Sequence, residues 1–242
     1  MTERVDPMDL QASALLVVDM QNDFLAAEGY YARRECLDLR MSQGAITTAT
    51  RNRLLREPSS APSGGCSYRD ASLARTIDNV CTTIRQARTK ERPIAFLKAI
   101  YSRHFELQPA FLLREPDRNH YPCKPHSWGA EFIEPIDELI GLARKASAER
   151  VIEKHTFDGF FQTGLLSFLR QHKVQTAVIV GVETHVCVLT TAQSAAVNQF
   201  KTVILEDCVW TANAELGEKA LEIFRDASGD TALLGDWYRP ID

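Results

Sequence analysis

Short apolar runs rich in β-branched residues recur at 14–18, 94–100, 151–152, 177–180 and 202–205, and stretches of helical period separate them. Most of these runs are apolar at every position rather than at alternate ones, as strands are when both faces of their sheet are covered. Between them, Leu73, Ile77, Val80 and Ile84 follow one another at helical spacing, with Asp70 or Ser72 available as a cap. Thr163 stands ahead of Leu165, Leu166 and Leu169, and Leu216, Ala220, Ile223 and Phe224 mark a later amphipathic helix. Alternation of strand and helix implies βαβ crossovers. The fold class is therefore α/β, with a mostly parallel, doubly wound sheet, helices on both faces and any site at the carboxyl ends of the strands.

A length of 242 residues suits one such domain, spanning 1–242, with a surface insertion at about 31–68. Pro58, Ser59, Ser60, Ala61, Pro62, Ser63, Gly64 and Gly65 give the end of that stretch the composition of a flexible linker. Its earlier part is basic, through Arg33, Arg34, Arg40, Arg51, Arg53 and Arg56, which suits a solvated or partner-contacting face, or an anion-steering flap. The stretch 101–129 is rich in Pro, His and aromatics and follows a strand, where loops line substrate pockets.

A net charge of −4 and the lack of an extended basic run argue against nucleic acid as a partner. No window approaches the roughly 20 apolar residues that cross a bilayer, and the polar start MTERVDPMDLQ has no signal-peptide core. A cytoplasmic protein with no membrane partner is the expectation. Six cysteines, Cys36, Cys66, Cys81, Cys123, Cys187 and Cys208, could pair, but a core of this size needs no staples. Without a CxxC pair or a close Cys/His cluster there is no zinc signature, so a reduced set is expected.

Three residues can make a site. Asp19 ends the run Leu15-Leu16-Val17-Val18, where partial desolvation would raise its basicity; the alternative is a turn or helix cap. Lys154 follows Val151-Ile152 and precedes His155-Thr156-Phe157-Asp158-Gly159-Phe160-Phe161, a setting that asks for a buried carboxylate partner unless the lysine snorkels to the surface. Cys187 lies where the strand 177–180 reaches Gly181, turns through Glu183 and Thr184, and enters a helix at Val186 or Cys187. A thiol there sees the positive end of a helix dipole and free N–H groups, which favour the thiolate and can form an oxyanion hole. The alternative is a buried cysteine acting as a small apolar residue. His185 offers a competing Cys–His dyad, though residues two apart at a helix start point in different directions.

The blocks LLVVDMQNDF, IEKHTFDGFFQTGLLSFLRQHKVQTAVIVGVETHVCVLTTAQSAA and VILEDCVW resemble the isochorismatase-like hydrolase superfamily, which includes nicotinamidases, N-carbamoylsarcosine amidohydrolases, biuret hydrolases and ureidoacrylate amidohydrolases. The resemblance implies a six-stranded parallel sheet, a triad of Asp19, Lys154 and Cys187, and a cis peptide between Val182 and Glu183. It also implies an oxyanion hole made by the backbone N–H groups of Glu183 and Cys187. The activity implied is hydrolysis of the C–N bond of a small amide, ureido or carbamoyl compound through a thioester. Phe24 matches a pocket position in relatives, and Tyr101, Trp128, Phe157 and His185 are further candidates for the pocket. Glu183, if it faces inward, suits a cationic or amide N–H group.

Nicotinamidases carry an Asp-x-His motif and a later His that bind a metal. The corresponding strand exit here reads Lys98-Ala99-Ile100-Tyr101-Ser102-Arg103-His104, without the Asp. His104, His120 and His126 offer a different set, but loop histidines are more often solvated, so neither metal nor cofactor is expected. The partner is then a small-molecule substrate. By resemblance the chain is a homo-oligomer, a dimer or tetramer. Two other readings remain open: a vinyl-ether hydrolase of isochorismatase type, for which Cys187 is dispensable, and a non-enzymatic binding or redox protein, which would have no reason to keep all three triad residues.

Overall fold

The computed structural model describes residues 12–45, 47–56, 71–102, 121–143 and 148–237. Six strands, β1 (Ser13–Val18), β2 (Ile94–Ala99), β3 (Glu149–Lys154), β4 (Thr176–Val182), β5 (Lys201–Trp210) and β6 (Asp230–Ala232), form one parallel sheet. Their order is β3-β2-β1-β4-β5-β6, so the chain winds outward from β1 in one direction and from β4 in the other. The β1/β4 boundary is the switch point at which crossover loops part and leave a crevice at the strands' carboxyl ends.

Apolar strands are required because both faces are covered. Leu15 and Val17 of β1 enter one core cluster, and Ala14, Leu16 and Val18 enter the other. The first face is packed by α4 (Ala71–Thr89) through Leu73, Val80 and Ile84, and by α5 (Glu134–Ala143) through Ile136 and Leu139. The second is packed by α6 (Leu165–Gln171), α7 (Leu189–Val197) and α8 (Ala214–Ala227), through Phe168, Ala192 and Phe224 among others. In α8 the buried face is Gly217, Ala220 and Phe224, whereas Leu216 and Ile223, expected inside, are exposed. Ser72, a candidate cap, instead accepts a hydrogen bond from the Trp210 indole N–H at 3.1 Å; Asp70 lies outside the described residues.

The stretch expected as an insertion contains α2 (Tyr30–Ser42) and α3 (Thr48–Arg56), preceded by the short α1 (Asn22–Leu25). Ala32, Arg33 and Leu37 of α2 are buried, so this part is packed structure rather than linker. The Pro/Ser/Gly-rich segment, within 57–70, lies outside the described residues, as does Cys66. Cys36, in α2, is disulfide-bonded, which corrects the expectation of a fully reduced set. A large core makes a staple dispensable but does not prevent one. Cys81, Cys123, Cys187 and Cys208 are free and buried. No helix among the described residues is long and apolar enough to cross a membrane.

Gly181 sits where β4 leaves the regular register with β5. Its φ is +116°, and a Cβ there would lie 2.1 Å from the Val18 carbonyl oxygen. Only glycine lets β4 close on β1 at this point. Gly181→Ala is expected to lose about 1–3 kcal/mol from backbone conformation alone, with the steric cost added. Thermal unfolding checks this, and an unchanged Tm would contradict the assignment.

Candidate active site

Asp19, Gln21 and Asp23 continue from β1, and each does a different job. Asp19 has a φ of +51°, in the left-handed region, which turns its carboxylate off the line of the strand at the sheet's carboxyl edge. Gln21 is fully buried; its side-chain N–H donates to the Ala99 and Ala130 carbonyls at 2.9 and 2.7 Å, and its oxygen accepts from the Ala99 N–H at 2.7 Å. It thereby ties the end of β1 to the end of β2 and to the turn at 128–130. Asp23 accepts from the backbone N–H groups of Tyr30 and Cys123 at 3.0 and 2.6 Å, which fixes the start of α2 against the loop that returns after 120.

Lys154 ends β3, in register with Ala99 of β2. Two strand spacings, about 10 Å in all, separate β3 from β1, and the long lysine side chain crosses β2 to reach Asp19. Lys154 Nζ lies 2.8 Å from Asp19 Oδ2, with both side chains wholly buried. Nζ also donates to the Thr156 carbonyl at 3.0 Å. The loop carrying that carbonyl is clamped onto α7: the Ser194 hydroxyl donates to Asp158 Oδ2 at 2.6 Å, and the Gly159 N–H donates to Thr191 Oγ1 at 3.0 Å.

Cys187 lies in a π-helical turn, Thr184–Val188, that leads into α7. The α-helix proper thus starts at Leu189, two or three residues later than the sequence suggests. The Val186 and Val188 N–H groups both donate to the Glu183 carbonyl. The Val182–Glu183 peptide is cis, and the Glu183 N–H meets no acceptor among the described residues. Cys187 is buried and couples electrostatically to both Asp19 and Lys154, so the three side chains form one buried cluster.

Burial dominates the electrostatics of this cluster. It pushes the Cys187 thiol well up, outweighing the lowering by Lys154, and raises Asp19 despite the lysine beside it. Lys154 is disfavoured as a cation by burial, but Asp19 and then Cys187 more than offset this and hold it charged. Burial therefore opposes the thiolate expected from a helix N-terminus and favours a thiol beside a carboxylate of raised basicity.

The cluster opens on a pocket of about 390 Å³. Phe24, Tyr101, Phe157, Glu183, His185 and Cys187 line it, and the Glu183 carboxylate accepts from the Thr211 hydroxyl at 2.5 Å. Trp128, expected here, is 55% exposed and does not line the pocket, because the turn at 128–130 directs its carbonyl to the Asn22 amide and leaves the ring outside. Sequence reasoning missed Tyr31, Arg34, Glu35 and Asp38, one face of α2 that closes the pocket. Their i, i+3, i+4, i+7 spacing was the available signal. Arg34 and Arg51 share Asp38 in ion pairs, and Arg33 turns to the Leu54 carbonyl, so these three of the six arginines are spent within α2 and α3. Among the described residues, no three His, Cys, Asp or Glu side chains come together as metal ligands. His104 and His120 lie outside those residues.

The family described as the isochorismatase domain matches residues 64–233, which include Lys154 and Cys187 and leave Asp19 before the match. Among solved structures, the chain is similar to a cysteine hydrolase from Pseudomonas syringae pv. phaseolicola 1448A, with 18% identity, a TM-score of 0.68 and coverage of 98% of this chain and 96% of that one. The nicotinamidase of Bacillus subtilis matches at 19% identity and TM-score 0.67, covering 91% of this chain and 99% of the other. The N-carbamoylsarcosine amidase of Thermoplasma acidophilum matches at 19% and 0.61, covering 95% and 99%. At these identities the likeness establishes the fold.

Burial raises Glu183 from 4.5 to about 7, with the Thr211 and Ala212 hydrogen bonds opposing. The folded protein therefore holds this proton more tightly than the unfolded chain, and stability falls as pH rises from about 4.5 to about 7. Glu183→Gln should remove that contribution to the slope. Denaturant unfolding across this range measures it, and an identical slope in the variant would contradict the raised value.

Proposed function

The chain belongs to the isochorismatase domain family, and on that footing we propose that it is a cysteine-dependent hydrolase that cleaves the C–N bond of a small amide, ureido or carbamoyl compound. The observation that carries this reading is the buried Lys154–Asp19 pair at 2.8 Å, electrostatically coupled to the buried Cys187 beside an aromatic-walled pocket.

Asp19 takes the Cys187 proton as Sγ attacks the substrate carbonyl carbon, and the C=O electron pair moves to oxygen. The Glu183 and Cys187 N–H groups donate to the resulting oxyanion. Asp19 returns its proton to the leaving nitrogen as the C–N bond breaks, which leaves a thioester on Cys187. Asp19 then deprotonates a water that attacks the thioester; the C–S bond breaks, the acid departs, and the sulfur regains its proton from Asp19. Lys154 stays charged throughout and holds the carboxylate toward the sulfur. Phe24, Tyr31, Tyr101 and Phe157 supply an apolar wall that strengthens these interactions by excluding water.

A screen of small amides and ureido compounds with ammonia or amine detection tests this reading. Cys187→Ala is expected to lower turnover at least about a thousandfold, as removal of a nucleophile does, and Asp19→Asn to lower it comparably. Wild-type turnover in Cys187→Ala would overturn the nucleophile and favour vinyl-ether cleavage or another thiol-independent reaction.

A further inference from the structure

We propose that Glu183 is the specificity-determining residue of this pocket and that the substrate carries a protonated amine or guanidinium group beyond its scissile amide. This substrate class rests on the hydrolase reading above.

The hydrogen-bond polarity around Thr211 leads to it. Thr211 Oγ1 lies 2.5 Å from Glu183 Oε2 and 2.9 Å from His185 Nδ1. A threonine hydroxyl has one proton to donate. Against a carboxylate that proton goes to Glu183, so His185 Nδ1 must be the protonated nitrogen and donate to the threonine oxygen. Burial disfavours a charged His185, and the neutral ring then has an unprotonated Nε2. The polar end formed by Glu183 and His185 thus presents acceptors to a ligand, and the matching ligand group is a donor.

Charge and shape favour a cationic donor. Glu183 and Glu35 of α2 both line the pocket and repel one another. Of the other charged residues of the α2 face, Asp38 pairs with both Arg34 and Arg51, and Glu35 has no ion pair among the described residues. A cation between Glu35 and Glu183 relieves that repulsion. The walls supply what a cation also needs: Phe24 stacks on Tyr31 with ring centroids 5.4 Å apart, and Phe157 and Tyr101 complete an aromatic lining.

Charge-selective labelling of Cys187 tests this and requires no identified substrate. The cationic 2-aminoethyl methanethiosulfonate and the anionic 2-sulfonatoethyl analogue each form a mixed disulfide with a thiol and release methanesulfinate. Rates at Cys187 are read by peptide mass spectrometry above the titration of Glu183, and each is divided by the reagent's rate with free 2-mercaptoethanol. The cationic reagent should be favoured about tenfold or more, as expected where like charges line a cleft. That ratio should fall several-fold in Glu183→Gln, in Glu35→Gln and at high ionic strength. Glu35 is exposed, so its variant serves even if Glu183→Gln folds poorly. A ratio of one or less, or one unmoved by either substitution, overturns the proposal. If Cys187-dependent amide hydrolysis persists in that case, the hydrolase reading stands alone; loss of that dependence would overturn the reading itself.

Discussion

An ammonium and a carboxylate held in contact with no exposure to solvent are the constraint around which the rest of this site is arranged. Burying both charges costs several kcal/mol per ion, and the contact offsets this only when geometry is tight and the remaining hydrogen-bonding positions are filled. Neighbouring features hold that geometry, although the buried Asp19 Oδ1 has no hydrogen-bond partner among the described residues. Gln21 ties β1 to β2, so the strand between Asp19 and Lys154 cannot shift. The Thr156 carbonyl takes a second lysine proton, and the loop bearing it is fastened to the helix that follows Cys187. Gly181 allows β4 to approach β1 closely, just ahead of the turn that carries Cys187.

The same burial explains why three groups are needed. In water, a thiol titrates close enough to neutrality to attack unaided. Here the low-dielectric setting that makes the Lys154–Asp19 contact strong also pushes the thiol up, so attack by Cys187 in the proposed mechanism requires a base beside it. Asp19 is raised by the same burial, which narrows the gap between base and thiol and makes proton transfer feasible in both directions.

The architecture was legible because strands covered on both faces have to be apolar throughout, and four of the six showed as such runs. The two edge strands depart from this: β3 shows only the two-residue run Val151-Ile152 and buries only Ile152 and Lys154, and β6, three residues long and half exposed, shows no apolar run. Residue type left Asp19 as a turn cap, Lys154 as a snorkelling surface lysine and Cys187 as a small apolar residue all open, and the family resemblance is what implied that the three belong together; Glu183, whose orientation the sequence left open, is among the residues that line the pocket. The α2 wall was hidden by composition: arginines and a neighbouring Pro/Ser/Gly tract read as solvated linker, whereas the polar side chains of Arg34, Glu35 and Asp38 face a pocket and one another. Trp128 failed for the opposite reason, since an aromatic residue in a pocket-side loop need not point inward.

Protonation of Cys187 at rest is the most direct test of this account. The difference in ultraviolet thiolate absorbance between wild type and Cys187→Ala, followed against pH, isolates this one sulfur from the other cysteines. The account predicts no thiolate signal from Cys187 at neutral pH, with absorbance appearing only above the ordinary thiol range. A thiolate already present at neutral pH would contradict it, because Asp19 would then have no proton to remove.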